Sequence, residues 1–368
     1  MIRWSILLSA LVLCLLLAAA AGARDIYVSN VAGDDRYSGQ SPEGRDDGSG
    51  PVHSIGRAIR LATAGDRIVL AKTDEPYRES IALVGSRNSG YPNAAFTIEG
   101  NGAILDGSAP VPPEVWKHFA GAVFRFEPPQ KGSQQLFLDG RPAQRVPVSH
   151  LSDSPPKLAP LQWALQGGYI YFCVEPTKLP SDYALSVAQR ATGITLYHVD
   201  RVTINDLTVQ GYQIDGISAF NTARNVYLAG VTSRGNGRSG VTVGGAATVE
   251  IDACLLGNNG QAQLLTLPHS ETVLYNSRLL GNTAAGWVDQ GGKLYLGGER
   301  LEGGREEIIP AAEEEGEAKP TAKEEMADPA KESPAEKPAP DQPAPAEPAK
   351  PAEKAKPGKP ADDPIFGP

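Results

Sequence analysis

The sequence predicts an all-β fold, a right-handed parallel β-helix in which short strands stack coil upon coil. Three observations lead there. Residues 193–290 repeat themselves every 23 or 24 residues. Within each repeat apolar residues alternate with period two, the mark of strands with one buried face. The breaks between alternating pieces fall on Gly, Asn and Asp, which turn a chain tightly. A sandwich would not return to one register at so fixed an interval, whereas a solenoid must.

Four coils stand out when the chain is aligned on that interval. GITLYHVDRVTINDLTV starts at Gly193, GISAFNTARNVYLAGVTS at Gly216, GVTVGGAATVEIDACLL at Gly240 and LLTLPHSETVLYNSRLL at Leu264, with spacings of 23, 24 and 24. The first strand puts Ile194, Ile217, Val241 and Leu265 in one interior column and Leu196, Ala219, Val243 and Leu267 in a second. Thr195, Ser218, Thr242 and Thr266 face outward between them. A second strand is expected to bury Val202 and Ile204, Val226 and Leu228, Val249 and Ile251, then Val273 and Tyr275. A third carries Leu207 and Val209, Val231, Cys254 and Leu256, then Leu280. Gly-Asn pairs at 235–236, 257–258 and 281–282 mark one recurring corner. Asn tolerates a left-handed backbone there and hydrogen-bonds its counterpart one coil away.

Ahead of the coils, Ser54 is placed to cap a short amphipathic helix, SIGRAIRLATAG, which would cover the open end of the solenoid and its exposed strand edge. DRIVLA, ESIALVG, AAFTIEG and AILDG read as strands. Residues 108–190 interrupt the coils, with LFLDGRPAQRV and YIYFCVEP expected as antiparallel hairpins around Asp-Gly and Gly-Gly turns.

The run YVSN, GDDRYSG, GPVHSIGRAIRLATAGDRIVLA, YRESIAL and GAILDG resembles the opening of secreted right-handed β-helix proteins of the pectate-lyase-like superfamily. Residues 193–290 are similar to the generic β-helix repeats of that superfamily, and the resemblance covers most of 25–300. It implies the fold and an insertion between coils. For activity it implies only a broad set, since such proteins include lyases, hydrolases, epimerases and members without catalysis.

The two ends of the chain have other roles. Arg3, the apolar run Ile6 to Leu17, and Ala21 and Ala23 before Arg24 make a secretory signal over residues 1–23, cleaved before Arg24. Leu13 stands where lipidation of Cys14 would need a small residue. No later stretch has the length to span a bilayer, so no transmembrane segment is expected after cleavage, and the mature protein should be secreted, periplasmic or on the cell surface.

From residue 306 to 368 the composition turns to Pro, Ala, Glu and Lys, a disordered tail expected to act as a spacer. It holds 16 acidic and 8 basic residues, which accounts for −8 of the chain's formal −9. The β-helix domain, residues 24–305, is therefore almost neutral, without the basic face that a nucleic-acid partner requires. Cys173 and Cys254 are too few for a disulfide framework, and Cys254 falls at an interior position.

Stacking the coils also places a candidate site. The outward first-strand face presents Thr195 with Tyr197, Ser218 with Phe220, and Thr242 with Gly244. Asp215, Arg238 and Gln263 border it on one side; His198, Asn221 and His269 border it on the other. Aromatic faces beside hydroxyls and amides suit a polysaccharide or cell-envelope glycan, so Thr195, Tyr197, Ser218, Phe220, Asn221 and Thr242 are the expected binding residues.

Catalysis would need more. The coil carboxylates scatter, without the convergent pair of a glycoside hydrolase. Lysine is missing from 179 to 292, so a lyase would have to take its base from Arg238 or His269, with Asp215 and Asn221 as partners. No cofactor or metal site is expected, although calcium at the acidic loops DDR, 34–36, and RDD, 45–47, is weighed. Three readings follow: a glycan-binding β-helix, a polysaccharide lyase or related enzyme, and a structural or protein-binding solenoid.

Overall fold

The computed structural model describes residues 23–148 and 156–310. The expected signal segment, Cys14 and the tail beyond residue 310 lie outside the described residues. Strands stack in parallel and in register around a single continuous core, as a right-handed β-helix requires. One face is a six-stranded sheet of Ile81–Val84, Ile194–Tyr197, Asp215–Phe220, Ser239–Val243, Ala262–Thr266 and Ala285–Asp289. The second and third strands of the coils join into a larger sheet, because Phe96–Asp106 and Asp200–Gln210 each bend round a corner without a break.

The corners are columns of left-handed residues. Asp206, Gly230, Ala253 and Asn276 turn the second strand into the third, with φ of 43°, 61°, 50° and 42°. Asn258 turns the third strand back toward the first in the left-handed conformation, and it exchanges hydrogen bonds with Asn282 one coil on (3.0 and 3.1 Å). Beside it a second ladder is buried. Asn236 donates from its backbone and its side chain to Asn259 Oδ1, at 2.9 and 3.0 Å. The equivalent corners are thus Gly235–Asn236 and Asn258–Asn259, so the Gly-Asn match at 257–258 is displaced by one residue.

That displacement is part of a wider correction in the fourth coil. Val241 pairs with Leu264, Thr242 with Leu265 and Val243 with Thr266, so the coil spacing there is 23 rather than 24. Leu264, Thr272, Leu274 and Leu279 point inward; Leu265, Leu267, Val273, Tyr275 and Leu280 do not join the core cluster. Thr266 is tolerated inside because it accepts a hydrogen bond from the buried Trp287 indole, at 2.9 Å. Gln263 takes the inward position of Gly216 and Gly240 and bonds Asn259 and the Ala284 carbonyl. It is wholly buried and forms no rim.

Both ends of the stack are closed. Ser54 Oγ accepts from Arg57 N–H to cap the helix Ile55–Leu61, and Glu79 accepts from the N–H groups of Ile55 and Gly56. Ile55 and Ala58 reach the core from that helix. At the other end Lys293–Leu296 folds back on Glu299–Leu301 across Gly297 and Gly298, and the chain then returns beside Trp287 and Leu279. Ile308 is buried in the core, so the folded body reaches past residue 305, where the composition alone had ended it.

The insertion has its own core, built on Trp116, Phe126, Trp163, Ile170 and Phe172. Asp139 with Gly140, and Gly167 with Gly168, form two-residue hairpin turns with positive φ throughout. The insertion lies against the third corner of the coils: Gln210 donates to the Gly140 carbonyl, and any Cβ at Gly235 would fall 2.6 Å from Phe137. Both Cys173 and Cys254 are buried free thiols, and burial pushes that of Cys254 up to about 11. Among the described residues no helix is long and apolar enough to cross a membrane.

Candidate functional site

The expected glycan strip is divided into an open end and a closed end. At the open end Val84, Tyr197 and Phe220 lie side by side in register, about 4.8 Å apart from strand to strand. Tyr197 is 40% exposed and its ring meets that of His198 edge-on at 4.4 Å. Phe220 leans over Gly244, where a Cβ would stand 2.8 Å from its ring. Glycine at 244 is therefore what lets the ring cross the neighbouring strand. His198, Asn221 and Gly245 follow as one left-handed column, with φ of 55°, 58° and 63°, while His269, left-handed at 69°, stands one place further along the fourth coil. His198 Nδ1 lies 2.6 Å from Thr222 Oγ1, while Asn221 and His269 are exposed. Thr195 is half-buried beside them.

The closed end is built on Asp215, which is 1% exposed. Its carboxylate accepts from Arg238 Nε and Nη2 (2.9 and 2.5 Å), Ser239 Oγ (2.9 Å) and Thr242 Oγ1 (3.0 Å). Ser218 and Thr242 are buried, at 4% and 0% exposure, so the hydroxyl column does not present a surface. The Asp215 hydrogen bonds and charge raise the pKa of Arg238 above its ordinary value, although burial opposes them. A base must shed its proton, and this environment holds it on.

Of the residues expected to form a lyase site, Arg238 and Asp215 are brought together as an ion pair, while His269 is not brought to them. Arg238 precedes Ser239–Val243 while His269 follows Ala262–Thr266, so a strand length, on the order of 15 Å, separates them. The acidic loops are engaged within the protein. Arg36 donates to Asp34, and Asp35 accepts from the backbone of His53 and Ser54. Asp47 accepts from Ser49 N–H. Among the described residues no three His, Cys, Asp or Glu side chains gather as a metal site.

A second concavity escaped the reading of the coils. A cleft of about 630 Å³ opens between the insertion and the Asn corner, with Lys131, Gln134, Gln135, Arg145, Asn258 and Asn282 in its walls and no carboxylate among its described lining residues. A sequence signal for it exists. Between Pro128 and Val148 the chain carries Lys131, Arg141 and Arg145 against the single acid Asp139. What the sequence does not show is that the insertion folds this basic stretch onto a corner of amides.

The family model described as "Right handed beta helix region" matches residues 192–293, and that stretch is a right-handed β-helix. No curated protein matches the chain. Among solved structures, the complex of XylC with xylose is 11% identical with a TM-score of 0.38, over 69% of this chain and 62% of that one. The GH136 lacto-N-biosidase from Eubacterium ramulus is 12% identical in its selenomethionine form, with a TM-score of 0.31 over 69% of this chain and 43% of that one. In its native form the values are 11% and 0.28, over 68% and 34%. This chain thus spans 62% or less of those proteins' length, and at these scores the likeness says nothing about its activity.

Proposed function

We propose that the protein is an exported β-helix that binds polysaccharide, with contact through the Tyr197 end of its first-strand sheet. The observation that carries this is the exposed Tyr197 ring in register with Phe220, bordered by Thr195, Asn221 and the His198–Thr222 pair. Sugar rings present C–H faces that stack on aromatic rings and hydroxyls that bond to such rims. Export rests on the signal pattern of residues 1–23 and would place the protein in the periplasm, at the cell surface or outside the cell.

Binding without chemistry is the better-supported form of this reading, because Arg238 is tied to Asp215 and stands a strand away from His269. Retention on immobilised glycans should fall for Tyr197→Ala and for Phe220→Ala, with the melting temperature of the Tyr197 variant unchanged. Undiminished retention in both overturns the site. Release of unsaturated uronates absorbing in the ultraviolet, lost in Arg238→Ala, would instead make the protein a lyase. A chain that retains no glycan is a structural or protein-binding solenoid.

A further inference from the structure

We propose that the cleft between the insertion and the Asn corner is a second binding site, one that takes an anionic saccharide by its acidic group. Its centre is Arg145. The guanidinium stands 5.3 Å from the ring centroid of Trp163, a fully buried indole that is itself fixed by donating to the Ala143 carbonyl at 3.0 Å. Arg145 and Trp163 face each other in a parallel strand pair, so the stack is part of the insertion's sheet. Yet among the described residues no carboxylate pairs with Arg145 and no acceptor takes a hydrogen bond from it. Burial alone acts on its charge, drawing its pKa below the ordinary arginine value. A partly buried guanidinium held on an indole, with no counter-charge among the described residues, keeps its charge at a cost that a bound anion would relieve.

The walls describe the rest of the ligand. Gln134 is 1% exposed, and its buried Oε1 has no hydrogen-bond partner among the described residues, while its Nε2 donates to the Gln130 carbonyl. Across the cleft Asn258 and Asn282 are held by their mutual hydrogen bonds, which present amides at a fixed spacing along the solenoid axis. Lys131 stands on an exposed edge at the rim, paired with Glu127 at 3.2 Å, and could exchange that partner for an arriving anion. One fixed guanidinium, several amides and no carboxylate among the described lining residues match a sugar that carries a carboxylate or a sulfate. A neutral glycan would leave Arg145 unpaired. A bare inorganic anion would leave the amides unused.

This inference rests on the reading that the protein binds polysaccharide, and names a chemical class for the ligand. The test measures calorimetric affinity of the full chain for oligogalacturonate, for a sulfated oligosaccharide, for a neutral oligogalactan, and for acetate and sulfate alone. Arg145→Ala should weaken an acidic oligosaccharide at least about ten-fold and remove most of its salt dependence. Lys131→Ala should weaken it less, and the neutral oligomer should not respond to either variant. Whichever acidic oligomer binds more tightly to the parent chain identifies the charged group.

Because Arg145 stacks on a core tryptophan, Arg145→Lys and the exposed Asn282→Ala are run in parallel with melting curves. A fold-preserving loss in Asn282→Ala supports the site even if Arg145→Ala unfolds. Equal affinity for acetate or sulfate and for the acidic oligomer means an adventitious ion only and overturns the proposal. Acidic binding that ignores Arg145→Lys and Asn282→Ala but is lost in Tyr197→Ala also overturns it, and leaves the Tyr197 reading intact. If no saccharide binds at all, both fail.

Discussion

At the scale of single residues, polar side chains in this protein are mostly committed to holding coils together. Asp66 shows how. Burial pushes its carboxyl up, but hydrogen bonds from Arg24 and Thr63, the shortest at 2.6 Å, outweigh that and bring it below the ordinary carboxylate value. A depressed folded-state pKa stabilises above the unfolded value, about pH 4, and that contribution is lost as pH falls through the folded one. The melting temperature should therefore drop on acidification below pH 4, and Asp66→Asn should be less stable at pH 7 with a flatter acid limb. A variant with the parental pH profile would show that Asp66 carries none of it. Asp215 is committed in the same manner, and there the commitment answers a functional question, since the same contacts that bury it restrain Arg238.

At the scale of strands and corners, the period of the chain revealed most of the architecture and the fourth coil shows its limit. Three coils aligned correctly because glycines at 193, 216 and 240 mark the start of each first strand. The fourth has Gln263 at that place, and the doublets Leu264-Leu265 and Thr272-Val273 supply an apolar or tolerable residue in either register. A slip of one residue exchanges the faces of a strand, so the ambiguity reached every later position in that coil. The observed register gives Thr266 a partner inside in the Trp287 indole and Gln263 partners in Asn259 and Ala284, none of which the alternation of the chain reveals. The glycines themselves should be intolerant. A Cβ at Gly216 would fall 2.2 Å from Ser233 Oγ and 2.7 Å from Asn236 Nδ2, so Gly216→Ala should cost about 1–3 kcal/mol in urea unfolding. An unchanged midpoint would mean that the buried Asn ladder yields freely.

Of the candidate surface, Tyr197 beside Phe220 was legible because it follows from the repeat alone. The burial of Ser218 and Thr242 was not, nor was the basic cleft. Each depends on what packs against the solenoid, and a periodic pattern says nothing about that.

At the scale of the whole molecule, the strand pairing of the coils runs from each coil to the next, so much of the stability is set locally and the ends matter. The C-terminal return is what covers Trp287 and Leu294. Ile308→Asp places a carboxylate in that core and should cost at least about 3 kcal/mol to the last coils. Hydrogen exchange should then speed up over Ala285–Asp289 and Lys293–Leu296 while Ile194–Tyr197 stays protected. Uniform loss of protection would show one cooperative unit instead.

The 23-residue fourth coil has a consequence for how such a surface can change over generations. Its shortfall is taken up at a corner, and strands on either side keep their hydrogen bonds. Loss or gain of a single codon at a corner is thus survivable wherever the next strand begins with two usable residues, as at Leu264-Leu265. One such event turns a strand over and exchanges which of two neighbouring residues joins the core, without inventing a new one.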